Sequence, residues 1–334
     1  MTSPNYVVHG AGGIGCVVAG RLAATGRKVQ LVARGPHLQA LQSDGLTLTH
    51  NTEGHWFLPA SSTAHDLDVD DQTIVLLAMK TDDTFAAVEE HSLLYKELPL
   101  VCLQNGVTNE EWLSQEGYRT YGCTVMVGAG ILEPGKVRHS GGRLLEVGCW
   151  PTGSDLTCHE LTSDLTEAGM KAVVDERVVD GKWGKLARNL ANAYLALVNL
   201  SVQEASCDPL DRQFISDVNE EAADVFDAAD ISARTVGKKN LRQQIARLRE
   251  PGEWPAEPPV TDSTRSYPST WQDLASQRGQ VEVDHFNGVV VRLGETYGIP
   301  TPLNRILRDR CISAARHRTM PGSETAESLR SAAS

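Results

Sequence analysis

A chain of 334 residues, 41% hydrophobic and 22% charged, has room for two domains with substantial cores and the composition of an ordinary globular protein. Its formal net charge of -12 argues against nucleic acid as a main partner, since phosphate backbones are met by basic stripes. No apolar run approaches a bilayer span, no basic-then-apolar leader opens the sequence, and seven scattered cysteines never fall in C-x-x-C spacing. A cytoplasmic protein with reduced thiols, no disulfide framework, no metal site and no membrane partner is the expectation.

In chain order, short β-branched runs first alternate with helical patterns. Asn5–His9 is a predicted strand, Ile14–Thr25 a helix and Lys28–Ala33 a second strand; Thr73–Met79 and Leu98–Leu103 are further strands, each followed by polar residues. Such alternation predicts a parallel sheet covered on both faces. Tyr118–Gly148, with shorter runs and Gly-rich turns, predicts an antiparallel extension. Beyond Glu176 the pattern turns helical: Lys182–Gln203, Asp211–Ala229, Val236–Arg249, Ser269–Gln277, Val281–Tyr297 and Arg305–Arg318. The expected fold is therefore α/β, with a doubly wound N-terminal domain over 1–176 and an all-α domain over 177–334. Pro251–Pro268 is an irregular Pro-rich loop, and 323–334 reads as a frayed tail without apolar anchors.

VVHGAGGIG sets Gly10, Gly12 and Gly15 in G-x-G-x-x-G spacing between a strand and a helix. The first glycine makes the turn, the second admits a pyrophosphate, and the third lets helix and strand pack closely. Residues Gly10, Ala11, Gly12, Gly13, Ile14 and Gly15 are thus the predicted phosphate cradle. At the end of the second strand, where an NAD site places an acid, the chain has Ala33 and Arg34. A guanidinium there suits a 2′-phosphate and points to NADP(H), against the plainer reading of a solvated strand-end arginine. Lys80 and Asn105 follow two other strands at their carboxyl ends, where ligands of open parallel sheets bind; either is also an ordinary strand terminator.

GKWGKLARNLANAYLALVNL (181–200) is Ala- and Leu-rich yet carries Lys185, Asn189, Asn192 and Asn199. At about 100° per residue, with Lys185 at zero, the asparagines fall near 40°, -20° and -40°, beside an apolar stripe of Leu186, Leu190, Ala193 and Leu197. One amine and several amides suit an oriented polar small molecule; a wet, Asn-decorated face is the alternative. In QVEVDHFNGVVVRLGETYG, Glu282 heads the stripe Phe286, Val289, Val290, Leu293 and Tyr297. It is either a buried carboxylate in need of a cation, for which Lys185 is a partner, or an acid in an exposed first turn.

Taken together, GAGGIG, VAR, MKTDD, LQNGV, PGKVRHSGG, WGKLARN, PSTWQDLASQRGQVEVDHFNG and GIPTPLN, in this order from about Val7 to Asn304, resemble the ketopantoate reductase (2-dehydropantoate 2-reductase) family. The resemblance implies a Rossmann domain, a helical domain of the 6-phosphogluconate dehydrogenase C-terminal type, NADPH, and catalysis in an interdomain cleft. It implies Lys185 as catalytic lysine, Glu282 as its carboxylate partner and Asn105 as an active-site amide that also meets the cofactor. Lys80 would be the cleft lysine near the cofactor, with Asn189 and Ser269 as substrate-binding groups and Asn192 as a further candidate.

The reaction so implied is reduction of a 2-oxo acid, ketopantoate or a related ketone. Family members acting on ketopantoate carry a further Asn eight residues after the catalytic lysine, where this chain has Ala193, and the Pro-rich loop is longer than theirs. A bulkier ketone or imine, and a non-catalytic NADP-responsive binding protein, are the alternatives. The partner expected is a small molecule, with a homodimer left open.

Overall fold

Tyr6, Val7 and Val8 are all fully buried, and they face two different cores. Tyr6 and Val8 join Ile74, Leu76, Leu31 and Val101 on one side of a sheet; Val7 joins Val32, Val75, Leu77 and Leu100 on the other. Alternation of side chains along a strand makes this unavoidable once both faces are covered, and explains why these strands read as unbroken apolar runs. Each large aliphatic so buried contributes roughly 1.5–3 kcal/mol. The computed structural model describes residues 4–50, 53–235, 240–251, 254–255 and 265–333.

The sheet has ten strands: β1 (Asn5–His9), β2 (Val29–Val32), β3 (Leu46–Thr49), β4 (Glu53–Trp56), β5 (Ala60–Ser61), β6 (Thr73–Leu77), β7 (Leu100–Cys102), β8 (Thr120–Glu133), β9 (Lys136–Cys149) and β10 (Lys171–Val174). Their order is β4-β3-β9-β8-β7-β6-β1-β2-β5, with β10 also paired to β9. The stretch from β8 to β5 is parallel throughout. The long β8–β9 pair is antiparallel, as expected for 118–148, with register shifts after Met126, Gly128 and Ile131. Helices Gly13–Ala24 and Leu156–Glu167 contribute to the first core, and Thr81–Glu90 to the second.

The chain divides into two compact units, with the division between Lys182 and Trp183. The boundary expected near 176 lies a few residues earlier, before the helix Val178–Asn189, within which the division falls. Among the described residues, every named element of the second unit is a helix. Pro209–Ala228, Asn287–Tyr297 and Pro302–Arg316 form its centre, joined by Asn304: its Nδ2 donates to the Val218 carbonyl (3.0 Å) and to Glu221 (2.9 Å), and its Oδ1 accepts from Asn287 (3.0 Å). No helix among the described residues is long and apolar enough to cross a membrane.

Several expectations are corrected. The helix expected over Lys182–Gln203 is three: Val178–Asn189, Ala191–Leu197 and Val202–Cys207. A turn at Leu190 makes the first break, and Asn199, at φ 58°, makes the second; Ser201 and Glu204 then build a capping box that starts the third helix. The helix expected from Val281 begins at Asn287, after a 3₁₀ turn Val283–His285. Of the Pro-rich loop, 252–253 and 256–264 lie outside the described residues, as do 236–239 of an expected helix.

The tail is not frayed: Ala326–Ala333 is a helix whose Leu329 is fully buried and whose Arg330 pairs with Asp217 at 2.8 Å. One leucine and one arginine supply the anchors that composition concealed. Leu329→Ala should therefore cost about 2–5 kcal/mol, read as a lower urea midpoint by circular dichroism. An unchanged midpoint would mean that the tail is undocked.

Candidate active site

The parallel registers align four strand ends. His9 of β1 stands opposite Val32 of β2 and Leu77 of β6, and Leu77 stands opposite Cys102 of β7. The residues that follow, Gly10, Arg34, Lys80 and Asn105, therefore emerge along one edge of the sheet. The chain leaves β1 for β2 on one side and reaches β6 on the other, so the edge sits where strand order reverses, the position at which open α/β sheets take ligands.

Each glycine of the turn has a different constraint. Gly10 has φ 102°, and a Cβ there would lie 2.3 Å from the Met79 nitrogen. At Gly15 a Cβ would lie 2.3 Å from the Gly10 carbonyl and 2.9 Å from Val8. At Gly12 it would meet nothing within 4 Å. Two glycines are thus required by the fold, whereas the second guards open space. Helix Gly13–Ala24 starts there with neither a side-chain cap nor an acid in its first turn. Its N-terminal N–H groups and dipole face that space, a cradle suited to a pyrophosphate.

Arg34 is exposed, precedes helix Gly35–Ser43, and donates to Asp83 at 2.8 Å. Lys80 is exposed at the start of helix Thr81–Glu90. Asn105 is half-buried, while Gln104 before it is buried and donates to Thr84 at 3.1 Å. The carbonyl of Gln104 accepts from Lys182 Nζ at 2.6 Å, and Lys182 pairs with Glu110 at 2.6 Å. Sequence reasoning passed over this lysine. The signal was present: on the wheel above Lys182 falls near 60°, next to the apolar stripe.

Beneath the glycine turn, His9 lies 2.9 Å from the Tyr95 hydroxyl and edge-on to His91. Burial, reinforced by the charges of His91 and Arg34, pushes its pKa down to about 3. Elsewhere in this unit Cys149, Asp155 and Cys158 bring donor atoms within 4.8 Å of one another, with the sulfurs 3.9 Å apart. Both Asp155 oxygens are engaged, by Tyr121 (2.6 Å) and the Cys158 N–H (3.2 Å), and burial pushes the Cys158 thiol up to about 12.

In the helical unit, Lys185 and Asn189 share one face of helix Val178–Asn189, one turn apart, and both are half-buried. The Asn189 Nδ2 is buried and has no hydrogen-bond partner among the described residues. Asn192 lies beyond the Leu190 turn, half-buried on the next helix. Asn199 does not belong with them: in its left-handed conformation it is exposed and accepts from Trp271 Nε1 at 2.8 Å. Glu282 is buried, 9% exposed, ahead of the 3₁₀ turn, which removes the exposed-first-turn alternative. Ser269 is half-buried at the first position of helix Ser269–Ala275.

A glycine turn at the reversal point of a parallel sheet, followed in the chain by a helical unit, defines the class: a Rossmann-type α/β domain joined to an all-helical one. Residues 6–152 match ketopantoate reductase PanE/ApbA and residues 177–311 its C-terminal region. The crystal structure of a PanE/ApbA family ketopantoate reductase from Ralstonia eutropha JMP134 is 30% identical, with TM-score 0.78 over 94% of this chain and 99% of that one. The chain belongs to the ketopantoate reductase family.

The 2-dehydropantoate 2-reductase of Pyrococcus horikoshii is 26% identical over 90% of this chain and 94% of its own. A ternary structure of D-mandelate dehydrogenase with NADH and anilino(oxo)acetate shares the fold, with TM-score 0.81 at 22% identity over 95% of this chain and 99% of that one.

Gly10→Ala should lower stability by roughly 2 kcal/mol or more, whereas Gly12→Ala should keep the melting temperature and weaken dinucleotide binding roughly tenfold or more by titration calorimetry. Unaltered affinity in Gly12→Ala would remove the pyrophosphate from that space. His9 titrates near 6.5 when unfolded and near 3 when folded, so the unfolded chain alone takes up the proton between those values. Stability should fall as pH drops through that window and be unaffected by His9 above it. His9→Gln should flatten the dependence of the urea midpoint between pH 7 and 4.

Proposed function

We propose that this protein reduces a 2-oxo acid with NADPH, with Lys185 as the general acid. The single observation that carries the reading is the buried, unpartnered Nδ2 of Asn189, one helical turn from Lys185. A buried donor left unpaired costs about 1–3 kcal/mol, whereas a solvent-facing asparagine would be hydrated. Such a group is accounted for when a bound substrate supplies the acceptor.

NADPH, when bound, supplies a hydride to the substrate carbonyl carbon. Negative charge then grows on the carbonyl oxygen, and the Lys185 ammonium stabilises it and donates the proton. A free lysine, with pKa about 10.4, is a slow acid at neutrality. Glu282, buried in the same unit, is assigned as the carboxylate that holds and orients the amine. Asn105 and Asn189 orient the reacting groups through neutral hydrogen bonds, and Ser269 serves the substrate carboxylate. Asn192 is assigned to the substrate on its half-burial alone.

Gly10, Ala11, Gly12, Gly13, Ile14 and Gly15 hold the pyrophosphate, with Lys80 and Asn105 toward the cofactor. Arg34 is assigned to the 2′-phosphate, for which Asp83 supplies the resting partner.

A second reading concerns the substrate alone. Ala193 is 1% exposed and packs within the helical unit, with its carbonyl accepting from Cys311. The amide expected at this position in a ketopantoate site is therefore missing, which favours a bulkier 2-oxo acid or ketone.

An NADPH-oxidation screen over 2-oxo acids, ketopantoate and aryl-substituted acids included, tests both readings. Turnover of none, despite tight NADPH binding, would favour a binding protein. Lys185→Ala should lower kcat by roughly 10²–10⁴ with NADPH affinity kept. Arg34→Ala should weaken NADPH about tenfold more than NADH; an unchanged preference would return the chain to NAD.

A further inference from the structure

Lys182 and Glu110 are each 1% exposed, and their charged groups meet at 2.6 Å. Lys182 belongs to helix Val178–Asn189 and Glu110 to helix Thr108–Gln115. An ion pair taken fully out of water gains little over well-packed apolar residues of the same size, because desolvation offsets the attraction. Stability is therefore a poor reason for this pair, and its third member points to another. Lys182 Nζ also donates to the carbonyl of Gln104 at 2.6 Å.

That carbonyl lies in the turn between β7 and the Glu110 helix, directly before Asn105 and Gly106, whose φ is 82°. In a trans peptide the C=O and the following N–H point in opposite directions. Drawing the Gln104 oxygen onto a buried ammonium therefore aims the Asn105 N–H away from it and fixes the start of the Asn105 side chain. On the other side of the residue, Gln104 Nε2 is held by Thr84 (3.1 Å) and Met79 Sδ (3.4 Å). The turn is clamped at both main chain and side chain.

We propose that Lys182 is a positioning residue: held by Glu110, its ammonium fixes the Gln104–Asn105 peptide and so sets the geometry of the Asn105 amide at the sheet edge. The inference rests on the reading of Asn105 as an active-site amide given above. Lys182 itself touches neither substrate nor cofactor in this role.

The test separates geometry from stability. Lys182→Met alone removes the ammonium from beside a buried carboxylate and should lower the melting temperature on the order of 10 °C. Lys182→Met/Glu110→Leu replaces the pair by apolar side chains and should return it to within a few degrees of wild type. The Gln104 carbonyl still lacks its donor in the double variant. Amide exchange over Leu103–Gly106 should then be at least about tenfold faster than wild type, and kcat for the 2-oxo acid that wild type reduces should fall about tenfold or more. KM should change less than about threefold, so that the loss falls on kcat.

Wild-type exchange or wild-type kcat in the double variant would overturn the proposal. Failure of that variant to fold would also overturn it, because the pair would then serve stability. Faster exchange in the turn, with a wild-type protein that reduces no 2-oxo acid, would uphold the clamp and sink the functional reading instead.

Discussion

The in-register parallel pairing of β1 with β2 and β6 is the constraint on which the N-terminal unit depends. Residues separated by up to about a hundred positions in sequence become neighbours because their strands end level. The demand is strict, since a one-residue slip would turn Tyr6 and Val8 from one core to the other and exchange them with Val7. Two-sided burial thus holds the register, and the register holds the edge from which Gly10, Arg34, Lys80 and Asn105 emerge.

What was legible in the sequence follows from where the physics is local. The strands, the glycine turn and the antiparallel extension were readable because apolar runs, glycine spacing and turn residues act over a few positions. Interruptions of helices were harder. A wheel drawn through 181–200 assumes a continuous helix, and Leu190 and Asn199 end it for reasons found outside the helix: the Leu190 carbonyl accepts from the Asn287 amide at 3.2 Å, and the Asn199 side chain accepts from Trp271 Nε1. Tertiary partners here override the local pattern. The docked tail was hidden likewise, since one buried leucine in a Ser- and Ala-rich segment carries no periodicity.

At the candidate site the glycines were legible from their spacing, and the surroundings of each Cβ agree: Gly10 and Gly15 are crowded by the fold, and Gly12 stands beside open space. Lys182 and Lys185 differ by three residues in one motif, yet one is sealed in a core with Glu110 and the other is half-buried on a polar stripe. Partners far along the chain made that distinction, and no window of sequence contains them.

The break at Leu190 is held in place by residues distant from it in sequence. Asn189 and Asn192 sit on opposite sides of an interruption that is tied from behind: Asn287 donates to the Leu190 carbonyl and to Asn304, which in turn is fastened to Glu221. The angle between the two amides is therefore governed by residues that face the interior of the helical unit. Drift in that hidden knot would swivel one amide against the other while leaving both side chains unchanged, and on the reading proposed for them it would alter which molecules fit.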